Sequence, residues 1–266
     1  MNQSEVYPGA PIALVILEIR HPVASNLTLT DRIAVKEALS EYAPILRNVE
    51  VVEASFGVGE PQTQRYPKFV SRDKHLNISF RADAVVIEAT KYYGYDWLRK
   101  VVDAVLSARI DIAPVDGLER IGMRYVDEIR VAGDVASDID WERWVSHDLL
   151  GPRAVSKGLG METQMSQGVT MFSMEEEGRS LALRYGALRG RAVESNEDLL
   201  RPSLNDGPFF LFDIDSSWAS LDRIPEFEPQ SILELVDQLH APVRQLFELL
   251  VTNDYREEVL RIGNTN

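Results

Sequence analysis

The sequence HLNISFRADAVVIEAT, residues 75–90, alternates apolar and polar side chains with the period of a β-strand. Its first half places Leu76, Ile78 and Phe80 on one face of an extended chain and polar residues on the other. A turn is expected near Ala82, and a run of β-branched residues follows it. The stretch therefore predicts two antiparallel strands joined as a hairpin. A hairpin at this position indicates that the protein contains an antiparallel sheet.

The regions on both sides of this hairpin alternate between strand patterns and helix patterns. Upstream, the sequence predicts a strand over Ile12–Ile19, a helix that is capped by Thr30 or Asp31 and extends to Leu46, and a strand over Val49–Phe56. Downstream, it predicts a helix from Asp96 and a strand over Ile121–Ile129. The first half is therefore predicted as β-α-β-β-β-α-β.

The second half of the chain is predicted to contain three strands and a final helix. The helix follows Pro229 and carries an apolar stripe, and Ser231 with Glu234 forms a capping pair at its start. The three strands cover Val169–Met174, Leu181–Leu188 and Phe209–Trp218.

These elements predict an α+β protein made of two halves of similar size. Each half is expected to have a mostly antiparallel sheet packed against long amphipathic helices. The N-terminal half covers residues 1–133, and the acidic C-terminal half covers residues 134–266. The same elements also allow the two halves to form one continuous domain.

Charge is shared unequally between the two halves. The net charge is −14; residues 1–133 carry 16 basic and 18 acidic side chains, and residues 134–266 carry 12 and 24. Such a surface repels phosphate-rich nucleic acids and anionic membranes, so neither is an expected partner. A protein partner with a basic surface is expected instead, although acidity that merely keeps the chain soluble is the simpler interpretation. The apolar stripe of the last helix also allows a homodimer.

The chain lacks the residues and motifs of several enzyme classes. It has no cysteine, and its N-terminus lacks the basic region of a signal peptide, so we expect a cytoplasmic protein. No nucleotide-binding, metal-binding or serine-nucleophile motif occurs, and we predict no cofactor and no catalytic residue. His240, on the last helix, is interpreted as a core or helix-surface histidine rather than a base.

Three arginines on two predicted strands form a candidate anion site. Arg120 and Arg124 share one face of their strand, and Arg184 lies on a second strand; Tyr125 and Tyr185 follow two of them directly. Guanidinium groups suit phosphate or carboxylate ligands. The alternative is that carboxylates on neighbouring strands neutralise these arginines.

A second candidate site consists of two carboxylates on one strand. Asp213 and Asp215 are two residues apart and therefore face the same side. Such a pair can hold Mg²⁺ if a third ligand converges on it. The alternative is an ordinary strand with one solvated face, which the apolar residues of the opposite face favour: Phe210, Phe212, Ile214 and Trp218.

Several stretches resemble an uncharacterised, sporadically distributed bacterial family of about this length. The resemblance rests most on Arg120–Asp127, RIGMRYVD, which is similar to the family pattern R-[IL]-G-[LM]-R-Y-[IV]-N. The chain departs from that pattern at Asp127, where Asn is usual, and at His21, where Phe is common. The scattered distribution implies an accessory role, such as in a defence or toxin–antitoxin locus, and supplies no catalytic residues.

Taken together, the sequence favours a non-enzymatic protein-binding or regulatory protein, whose acidic half contacts a basic protein. The alternative is an enzyme or sensor for a small anionic ligand bound by the strand arginines.

Overall fold

A computed structural model describes residues 7–53, 62–131, 141–151, 158–161, 166–174, 178–202 and 206–262. Within these residues nine strands form one sheet, and every neighbouring pair is antiparallel. The spatial order is β2-β3-β4-β5-β1-β6-β9-β8-β7. The strands are β1 (Ile12–Arg20), β2 (Ile45–Glu53), β3 (Gln62–Val70), β4 (Leu76–Phe80), β5 (Ala84–Ala89), β6 (Arg120–Ile129), β7 (Ser166–Ser173), β8 (Arg179–Gly190) and β9 (Gly207–Ala219).

The central hairpin is confirmed. Strands β4 and β5 pair with Ile78 opposite Ile87, and the Arg81 N–H donates to the Ala84 carbonyl oxygen at 2.8 Å to close the turn. The first half contains one strand more than predicted, because β3 continues the sheet from β4 to β2.

The α+β class with antiparallel strands is confirmed, but the arrangement of one sheet in each half is not found. Strand β6 pairs with β1 on one side and with β9 on the other, so both halves contribute to a single sheet. The predicted boundary between Gly133 and Asp134 lies outside the described residues, and the division into domains stays a prediction.

In the part of the chain that the structure describes, three helices of ten residues or more accompany the sheet: α1 (Leu29–Ala38), α2 (Tyr95–Ile112) and α3 (Pro229–Leu250). Helix α1 begins earlier than predicted, because Thr28 and Asp31 form a reciprocal capping box. It also ends earlier, because Pro44 cannot continue a helix and Leu46 belongs to β2. Shorter helical segments are Trp141–Arg143, His147–Leu149, Asn253–Tyr255 and Arg256–Leu260.

The helix predicted after Pro229 is found as α3, and it includes Pro229 as its first residue. Its cap differs from the predicted pair: the Glu228 carboxylate accepts hydrogen bonds from the N–H groups of Gln230 and Ser231, at 3.0 and 2.6 Å. Among the described residues, no helix combines the length and apolarity needed to span a membrane.

The helices pack on one face of the sheet and form the main core. Alternate residues of β1, such as Val15 and Leu17, are buried on this face. Phe212 of β9 contacts Phe247 of α3 edge to face, with ring centroids 6.2 Å apart. Because side chains alternate along a strand, residues adjacent to these point to the opposite face, which we call the second face.

Candidate functional site

The predicted strand arginines lie on the second face, where carboxylates neutralise them. Arg124 donates two hydrogen bonds to Asp213, at 2.6 and 2.8 Å, and the Arg184 Nη1 lies 3.5 Å from the same carboxylate. Arg120 donates to Glu18 at 3.0 Å. These contacts match the alternative of cross-strand ion pairing. Anion binding by these arginines stays a prediction.

The two predicted tyrosines lie on the other side of the sheet. Tyr125 follows Arg124 in β6, and Tyr185 follows Arg184 in β8, so each tyrosine points to the helix-covered face. Both pack against the core. The five predicted residues are therefore divided between the two faces of the sheet.

The predicted carboxylate pair lies beside these arginines. Asp213 is buried and ion-paired, and burial raises the pKa of Asp215, while the charges of Arg120 and Arg124 act in the opposite direction. In the part of the chain that the structure describes, no three His, Cys, Asp or Glu side chains converge as a metal site. The metal role of this pair stays a prediction.

A cavity lies on the helix-covered face, where β6, the start of β1, the N-terminus of α2 and the middle of α3 meet. Its volume is about 150 Å³, and we call it the inner cavity. A wider surface groove of about 710 Å³, the outer groove, adjoins it and shares five residues with it: Gly94, Tyr95, His240, Arg244 and Glu248. A concave site with a few convergent polar groups is the usual candidate for a ligand site.

Hydrogen-bonding side chains cross the inner cavity from strand to helix. The hydroxyl groups of Tyr92 and Tyr125 are 3.4 Å apart, and the Tyr125 hydroxyl lies 3.1 Å from the His240 Nδ1. The imidazole of His240 stacks on the Tyr95 ring, with centroids 3.8 Å apart and planes inclined by 2°. The Tyr95 hydroxyl donates to Asp237 at 2.6 Å, which fixes the stacked pair in place.

Burial keeps these groups uncharged near neutral pH. It lowers the pKa of His240 to about 4; the positive charge of Arg244 adds to this effect, and the negative charge of Asp237 opposes it. Burial also raises the pKa of Tyr92 to about 12 and that of Tyr125 well above its ordinary value. The inner cavity therefore presents a neutral imidazole and neutral hydroxyl groups to a ligand.

Asp127 lies at the wall of the inner cavity and is the least expected group there. It faces the helices from β6, and only 3% of its surface is exposed. Among the described residues it has no hydrogen-bond or ion-pair partner. Burial, reinforced by the negative charge of Asp213, raises the pKa of Asp127 to about 8. A buried carboxyl group without a partner is costly and marks candidate functional sites.

Two groups give the boundary between cavity and groove an affinity for negative charge. Arg244 lines both, and its guanidinium forms no hydrogen bond or ion pair with another described residue. Helix α2 begins beside it at Tyr95, and the preceding Gly94, which has φ 102°, provides no side-chain cap for the first N–H groups. Uncapped N–H groups and the helix dipole favour an anion at this end.

The neighbouring carboxylate Glu248 does not compete for Arg244. It accepts hydrogen bonds from Tyr7 at 3.3 Å and from Arg256 at 2.9 Å, so its charge is already compensated. Among the described residues that line the inner cavity, Arg244 therefore remains available to a ligand.

Sequence reasoning selected Tyr125 from this site but missed most of its partners. His240 was interpreted as structural, and Tyr92, Tyr95 and Arg244 carry no motif. The one signal in the sequence was Asp127, an acidic residue on the apolar side of an alternating strand.

Neither the models of protein families nor the curated proteins compared with this chain give a match. The resemblance to a bacterial family therefore stays a prediction.

Proposed function

We propose that this protein binds a small anionic ligand in the inner cavity and acts as a ligand-binding or regulatory protein. The observation that carries the proposal is Arg244, which has no partner among the described residues, beside the uncapped start of α2; the imidazole and hydroxyl groups of the cavity are neutral, and the charge of Glu248 is compensated by Arg256. A guanidinium and free N–H groups together bind carboxylate or phosphate oxygens.

The dimensions of the site support a compact ligand. A volume of about 150 Å³ corresponds to about five water molecules, or to a ligand of a few non-hydrogen atoms. Apolar side chains including Val243 and Phe247 complete the wall, so part of the ligand is expected to be apolar. A larger ligand would extend into the outer groove.

The proposal predicts that Arg244→Gln weakens anion binding by about 10–100-fold, because a hydrogen bond to a charged group contributes about 1.5–3 kcal/mol. Calorimetric titration with acetate, propionate, malonate and inorganic phosphate measures the loss. Arg223→Gln is the matched control, since Arg223 is exposed in the segment after β9. That segment bonds to Glu119, just before the start of β6, whereas the inner cavity lies towards the end of β6. Equal affinities of the wild type and Arg244→Gln would contradict the proposal.

A second candidate function is contact between the acidic C-terminal half and a basic protein, as an accessory component of a defence or toxin–antitoxin locus. The supporting observation is the loop after β9, where Leu221 is 64% and Ile224 is 49% exposed. Asp222 and Glu226 alternate with them and form no ion pair with another described residue. Exposed apolar residues among unpaired carboxylates suit a partner of opposite charge.

This second function predicts a partner whose binding depends on those carboxylates. Native mass spectrometry of the gently purified protein is expected to show a basic protein bound to it, and raised salt should release that protein. The double variant Asp222→Asn/Glu226→Gln should lose the partner, whereas Glu50→Gln on the distant strand β2 should retain it. A partner that the double variant binds equally well would exclude this surface.

A further inference from the structure

The anion proposal leaves Asp127 unexplained. Its carboxyl group is nearly as buried as the core, lines the inner cavity and has no partner among the described residues. Proteins seldom retain a buried acid without a hydrogen bond or counter-charge, because transferring it from water is unfavourable. The missing partner is therefore expected to come from the ligand.

The surroundings of Asp127 suit a positively charged group. Tyr92 and Tyr125 meet edge to face, with centroids 5.8 Å apart, and Tyr7, Tyr95 and Phe247 also line the inner cavity. Aromatic walls stabilise an ammonium group through their ring electrons, and more strongly where water is excluded. A carboxylate within such a wall supplies the opposite charge.

A metal ion fits this position less well. Mg²⁺ and Ca²⁺ prefer six or more oxygen ligands, and the only other carboxylate among the lining residues, Glu248, is held by Tyr7 and Arg256. An organic ammonium needs only one carboxylate and the aromatic surface.

We propose that the ligand is a small zwitterion of the α-amino acid class, with its ammonium group against Asp127 and its carboxylate against Arg244. This inference rests on the proposed anion site and adds a second recognition group to it. We call Asp127 and Arg244 the two poles of the site. Both charged residues line the same inner cavity, whose volume of about 150 Å³ accommodates a small amino acid. The neutral Tyr125 and His240 line the same cavity as hydrogen-bonding groups that do not disturb this charge pattern.

The test compares three matched probes. The standard L-amino acids are screened against the wild-type protein by calorimetric titration. The tightest of them is then compared with its deaminated acid and its decarboxylated amine. We expect the amino acid to bind at least 10-fold more tightly than either analogue, because the deaminated acid leaves Asp127 without a partner and the decarboxylated amine leaves Arg244 without one.

Two variants separate the poles. Asp127→Asn is expected to weaken amino acid binding at least 10-fold and to change the affinity for the deaminated acid less than 2-fold. Arg244→Gln should weaken the deaminated acid and the amino acid alike and leave the amine nearly unchanged.

The possible failures are distinguishable. If the deaminated acid binds as tightly as the amino acid and Asp127→Asn changes neither, the zwitterion is wrong while the anion site stands. If an amino acid binds but Arg244→Gln has no effect, or if no probe binds, both the anion site and the zwitterion are overturned.

Discussion

Replacing Glu128 by glutamine is expected to lower the free energy of unfolding by about 3–5 kcal/mol. Glu128 is 3% exposed and accepts hydrogen bonds from Arg130 at 2.7 and 3.0 Å, from the Ala192 N–H at 2.6 Å and from Arg201. Arg201 is itself buried. Removing the charge of the carboxylate leaves a buried guanidinium without its counter-charge, which is the unfavourable state.

The effect should extend to the segment that connects β8 with β9. Ala192 and Arg201 lie at the two ends of residues 192–201, and both bond to Glu128. Faster hydrogen exchange across residues 192–201 is therefore expected in Glu128→Gln, because this anchor keeps the segment on the sheet.

Urea denaturation of the wild type and Glu128→Gln measures the predicted loss of stability. The matched control is Glu50→Gln on β2, whose partner Arg65 is 3.0 Å away on the surface, and which should behave like the wild type. Replacing both Glu128 and Arg201 by methionine should recover part of the stability, since the buried Arg201 guanidinium is then absent and Arg130, which is partly exposed, keeps its hydrogen bond to the Gly190 carbonyl oxygen. If Glu128→Gln proves no more destabilising than the control, the hydrogen bonds of Glu128 do not hold residues 192–201 in place.

Local elements of this fold were predictable because their signals lie close together in sequence. The β4–β5 hairpin and the helix that begins near Asp96 follow from the periods of their own side chains. The single sheet was not predictable, because it depends on pairing between β6 and β9, which lie about 90 residues apart along the chain. Periodicity determines which face of a strand is buried but leaves open which strand is its neighbour.

The candidate site shows the same limit. Adjacent residues of a strand point to opposite faces, so Arg124 and Tyr125 contribute to different surfaces. The two charged poles of the cavity come from β6 and α3, and only the packing of α3 on the sheet brings Asp127 and Arg244 to one cavity. The one feature of this site that is visible in the sequence is Asp127, an acidic residue on the buried side of β6.

Asp127→Asn is expected to make the ligand-free protein more stable at pH 8, by roughly 4–6 kcal/mol. In the unfolded chain an aspartate releases its proton near pH 4, whereas burial holds the pKa of Asp127 in the folded protein at about 8. Between these values the unfolded state binds fewer protons, so rising pH destabilises the wild type. Asparagine has no proton to release in this range and avoids the penalty.

The difference between Asp127→Asn and the wild type should therefore be small at pH 4 and increase up to pH 8. Thermal unfolding at several pH values measures it, and comparison at each pH cancels the titration of His21 and His240. Asp213→Asn on the neighbouring strand is the contrasting variant: it removes the partner of Arg124 and should destabilise the protein. An Asp127→Asn variant that is less stable than the wild type at pH 8 would mean that the carboxylate already has a partner in the folded protein. Asp127 would then not require a cationic ligand as its partner.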